Sequence, residues 1–119
     1  MGEVRKLGEF RVLRAESRAD DRGMDKDEAR TIARSILDSL QQETYEHLVD
    51  GYLDAHIHRE AFGRSGTAYQ IEIDALWDSG EPGDIRVLVA IDDGGWSAFS
   101  PLVVNFIKAP DGSFVGDEV

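Results

Sequence analysis

Residues 67–77, TAYQIEIDALW, decide how this chain folds. Tyr69, Ile71, Ile73, Ala75 and Trp77 fall on one side of an extended strand, and Gln70, Glu72, Asp74 and Leu76 on the other. Such alternation predicts a strand with one buried face. Residues 78–84, DSGEPGD, form a turn rich in Gly and Pro. Ile85, Val87, Val89 and Ile91 then carry the apolar face onto a second strand. Asp92-Asp93-Gly94-Gly95 is a tight-hairpin signal, because primed turns require positive φ. It returns the chain along a third strand, 96–100, with Trp96, Ala98 and Ser100 on the same face, and Pro101 ends or edges that strand. Val103–Ile107 adds a further short extended piece, and Pro110-Asp111-Gly112 marks another turn.

Upstream, the period changes from two to about 3.6 residues. Asp25 opens a helix, with Glu28 placed as in a capping box. Ala29, Ile32, Ala33, Ile36, Leu37 and Leu40 form its apolar stripe, with Arg30, Arg34, Asp38 and Gln41 outside. The pattern predicts a helix from about Lys26 to about Val49. It runs on through Tyr52 and Leu53, with Gly51 as the weak point. Residues 54–66, DAHIHREAFGRSG, read equally as a short strand, a helical turn or a loop. Residues 8–14 alternate like an edge strand, 15–24 are a charged loop, and 116–119 are an acidic tail. The expected fold is one α+β domain over residues 1–119. It is an antiparallel β-meander of three to five strands with one main amphipathic helix packed on one face.

Composition narrows the function classes. The chain has 119 residues, 41% of them hydrophobic and 31% charged, as in an ordinary globular protein. It has no cysteine, which excludes disulfides, thiolate metal sites and cysteine nucleophiles. No apolar run is long enough to cross a bilayer, and Met1–Leu13 lacks the apolar core of a signal peptide. A cytoplasmic protein of bacterial type is expected. The net charge is −11. Residues 1–22 hold six basic and five acidic side chains, a net of +1; residues 23–119 hold seven and nineteen, a net of −12. That surface repels phosphates, so neither nucleic acid nor an anionic membrane is an expected partner.

Two clusters carry chemistry. His56 and His58 flank Ile57, and Glu60 follows. On an extended segment their side chains share one face, as zinc, iron or nickel ligands would. The plainer and preferred reading is a polar connection with incidental histidines, so no metal is favoured. Gly63 and Gly66 make neither a phosphate-binding loop nor a dinucleotide fingerprint, and no cofactor is indicated. Asp92 and Asp93 suit a turn better than a calcium loop. Asp74 is expected to pair with Arg86 across the 78–84 hairpin.

The second cluster is the outer face of the sheet. A solvated face should be polar throughout, yet Leu76, Leu88 and Phe99 interrupt the acidic residues Glu72, Asp74 and Asp92. Either the N-terminal segment or residues 54–66 fold over this patch, or another molecule does. The favoured function is a small acidic protein-binding module, an inhibitor, immunity-type or accessory protein, rather than an enzyme. It would dock a basic partner, or a second copy, through Leu76, Leu88, Phe99, Glu72, Asp74 and Asp92. The alternative is a small metal-binding protein or metalloenzyme centred on His56, His58 and Glu60.

Overall fold

The computed structural model describes residues 25–95 and 101–116. The readings made for residues 8–24, for 96–100 with Trp96 and Phe99, and for 117–119 lie outside the described residues. The elements are α1 (Lys26–Gln41), α2 (Tyr45–Tyr52), β1 (Ile57–Phe62), β2 (Ala68–Ser79), β3 (Asp84–Asp92) and β4 (Leu102–Lys108). The strands form one antiparallel sheet in the order β1-β2-β3-β4, and the helices pack against it. This is the α+β meander that the alternation implies.

The buried face is the one that opens the sequence reading. Tyr69, Ile71, Ile73 and Ala75 of β2 and Ile85, Val87, Val89 and Ile91 of β3 lie against Ala29, Ala33, Leu37 and Leu40 of α1 and Leu48 of α2. Removing each large aliphatic side chain from water contributes about 1.5–3 kcal/mol, which makes this layer the main source of stability. Trp77 is only half-buried, beside a register shift between Trp77 and Ser79.

Two local expectations are corrected and one open reading is resolved. The long helix is two helices. Gln42 and Glu43 donate to the carbonyls of Ser39 and Leu40 and close α1. Thr44 turns extended (ψ 158°), and its side chain accepts from the His47 amide, capping α2. The ambiguous stretch contains the edge strand β1, paired with β2 from Ile57↔Ile73 to Phe62↔Ala68. It widens the sheet and does not fold over its outer face. Finally, Ile91 pairs with Leu102, so β3 returns through β4 and not through a two-residue hairpin at Gly94-Gly95. A hairpin there would set Ile91 opposite Ala98. The Asp92 and Asp93 side chains accept the Gly94 and Gly95 amides (2.7 and 3.0 Å), so the segment turns as expected but belongs to a longer connection.

Two polar ties join the layers. Glu28, in the first turn of α1, accepts from the Ser65 amide (3.1 Å), the Ser65 hydroxyl (2.7 Å) and the buried Tyr69 hydroxyl (2.7 Å). Its carboxylate thus reaches the β1–β2 turn, while Asp25 alone caps the Glu28 amide. At the other end of α1, Lys108 is 7% exposed, and its Nζ donates to the carbonyls of Gln41 (3.0 Å) and Glu43 (2.7 Å). The last turn of α1 has no basic residue of its own. Lys108 supplies, from β4, the cation that a helix C-terminus favours. The Phe114 ring lies 5.0 Å below the ammonium.

Candidate functional site

Both helices cover one side of the sheet, and among the described residues nothing covers the other side. The register aligns on it Glu60 and His58 of β1, Gln70, Glu72, Asp74 and Leu76 of β2, Arg86, Leu88, Ala90 and Asp92 of β3, and Val103, Asn105 and Ile107 of β4. Leu76 is 46% and Val103 45% exposed, and Leu88 and Ile107 are half-buried. Of the residues expected to dock a partner, Leu76, Leu88, Glu72, Asp74 and Asp92 share this face, and Phe99 lies outside the described residues. Val103 and Ile107 extend the apolar strip onto β4. The sequence held their signal, because residues 102–108 also alternate, but the expected third strand stood at 96–100.

The charges divide across the face. Arg86 does not meet Asp74, because the register sets Asp74 opposite Leu88 and Leu76 opposite Arg86. Arg86 instead donates to Asp78 through Nε (2.9 Å) and Nη2 (2.8 Å), and to Asn105 through Nη1 (2.8 Å). The cation is held at the β2–β3 turn end of the face. Glu60, Glu72, Asp74 and Asp92 leave the remainder acidic. Glu60 accepts from the Gln70 amide group (2.9 Å).

His56 sits where the α2–β1 connection meets the sheet. Leu53 bridges Ala75, and the Asp54 amide approaches the Ala75 carbonyl at 3.5 Å. Asp54 and His56 both take left-handed backbone, at φ 62° and 54°. Asp and His are among the side chains that tolerate it best. The turn brings His56 Nδ1 to 2.6 Å from Asp74 Oδ1. This hydrogen bond, then the Asp74 charge, hold the imidazole pKa above its ordinary 6.5. One ligand atom each from His56, Glu72 and Asp74 lie within 4.8 Å of one another. The histidine expected to pair with His58 and Glu60 along its own strand thus meets two carboxylates across the sheet. His58 lies opposite Glu72 and Glu60 opposite Gln70. The sequence reading grouped neighbours along one segment, and the partners of His56 lie on the adjacent strand.

Among the described residues no helix is long and apolar enough to cross a membrane. No protein-family model, curated protein or solved structure matches this chain, so the reading of the site rests on its own residues.

Proposed function

We propose that this protein is an acidic docking module, of the inhibitor, immunity or accessory kind, whose open sheet face binds a basic surface of another protein. The observation that supports this most is the exposure of Leu76 and Val103, nearly half of each, on strands whose opposite face packs on the core. Leaving large apolar side chains in water forgoes about 1.5–3 kcal/mol apiece relative to burial, which favours a covering surface. Apolar residues bordered by charge are the usual anatomy of a protein-binding patch. Carboxylates border this one, and the chain carries −11 overall, so a second copy would meet like charge and a basic partner complementary charge.

The test uses the immobilised chain against extract of its native host, with three baits in parallel. The wild type should retain a basic protein. Leu76→Glu with Val103→Glu should lose it while unfolding at a similar temperature, and Glu72→Lys with Asp74→Lys should lose it through charge. A protein retained equally by all three baits sinks the proposal. So does a strongly destabilised Leu76→Glu/Val103→Glu chain, because the face would then be covered from within.

A further inference from the structure

The β1–β2 register places ligand-forming side chains together on the open face. The ladder pairs His58 with Glu72 and ends at Ile57 with Ile73, and just beyond that end the left-handed turn at His56 carries its ring to Asp74. Their side chains meet at 2.6 Å. His58 and Glu72, opposed across the two strands, stand within about 4.5–5.5 Å of each other at Cβ. His56, Glu72 and Asp74 already hold one ligand atom each within 4.8 Å. We propose that His56, Glu72 and Asp74 bind a divalent transition-metal ion of the zinc class, with His58 as the neighbour placed to supply a fourth ligand.

The donor set selects the class of ion. One neutral imidazole nitrogen and two carboxylates offset a double positive charge. Imidazole suits zinc, copper, nickel or iron, whereas calcium takes six to eight oxygen ligands. Position follows from the backbone: Glu72 and Asp74 stand on a central strand paired on both sides, and the Leu53–Ala75 bridge holds the His56 turn beside them. Binding would displace the proton shared by His56 Nδ1 and Asp74 Oδ1 to solvent, and the ion would take its place. The plainer account is a surface His–Asp pair at a left-handed turn. Such a pair has no need of Glu72, and it is the second carboxylate that makes the group a chelate. The site shares Glu72 and Asp74 with the proposed docking face, but its titration needs no partner protein.

The experiment is a calorimetric titration of chelator-treated protein with zinc chloride, with far-UV circular dichroism on each variant. Wild type should bind one equivalent. His56→Ala and Glu72→Gln should each weaken binding about tenfold or more, and both positions are exposed, so the variants should remain folded. His47→Ala, which alters a histidine on α2 paired with Glu43, should bind like the wild type. Absence of saturable binding, binding that survives His56→Ala or Glu72→Gln, or binding lost with His47→Ala would overturn the proposal.

Discussion

Glu28 shows how much a single carboxylate can organise. It gathers two donors from Ser65 and one from Tyr69, and it lies so close to Gly63 that an added Cβ there would come within 2.3–2.6 Å of the carboxyl group. Gly63→Ala should therefore push the carboxylate off its donors and cost roughly 1–3 kcal/mol in urea unfolding, through desolvated groups left without partners. A loss below about 0.5 kcal/mol would mean that Glu28 can step aside without consequence. Tyr69 gives the same tie a pH signature. Burial, then the Glu28 hydrogen bond and charge, push its hydroxyl far above the ordinary 10. The unfolded chain releases that proton near pH 10 and the folded chain keeps it, so the contribution is complete below pH 10 and declines as pH rises beyond it. Alkaline unfolding should show this slope in the wild type and lose much of it in Tyr69→Phe. An unchanged slope in Tyr69→Phe would assign the effect to other groups. The sequence displayed Glu28 as a local capping residue and could not show its long-range role, because the partner at Ser65 is 37 residues away.

At the scale of elements, period was legible and interruption was not. The apolar stripe of α1 and the alternation of β2 and β3 are repeated signals, and each placed the core face, with Ile32, Ile36 and Trp77 only partly buried at its margins. The break before Thr44 is a single-residue event, in which one extended φ/ψ pair and one side-chain acceptor restart the helix. Thr44→Ala should cost about 1 kcal/mol, the usual worth of an N-cap, and thermal melts of the isolated chain would reveal an unaffected Tm if α2 is held by Leu48 alone. Lys108 is a second hidden feature, since it occupies the buried position that Leu102, Val104 and Phe106 lead one to expect for an apolar residue. Its two carbonyl partners lie in and just after α1, beyond the reach of any pattern local to β4. Lys108→Met keeps the length and the apolar stem but leaves the Gln41 and Glu43 carbonyls without their donor. It should destabilise by roughly 1–3 kcal/mol. Equal or higher stability would show that water or the backbone satisfies those carbonyls.

Among the described residues the sheet has one buried face and one face rich in carboxylates, and electrostatics gives folding and the proposed docking opposite responses to salt. Residues 23–119 carry a net −12, so the folded body gathers like charge that the unfolded chain spreads apart. Screening reaches about 10 Å at 0.1 M salt and about 3 Å at 1 M. Added sodium chloride should thus relieve self-repulsion and raise the Tm of the isolated protein. The short Arg86–Asp78 pair opposes this, but exposed pairs of its kind contribute about 0–1 kcal/mol and cannot outweigh the summed repulsion. The proposed docking on a basic partner would depend on the same carboxylates with the contrary sign, so association should slow and weaken over the same range of salt. A chain that melts earlier as salt rises would show that attractive pairs, and not net charge, govern the fold. Partner binding indifferent to salt would leave only the apolar strip of Leu76, Leu88, Val103 and Ile107 to hold the complex.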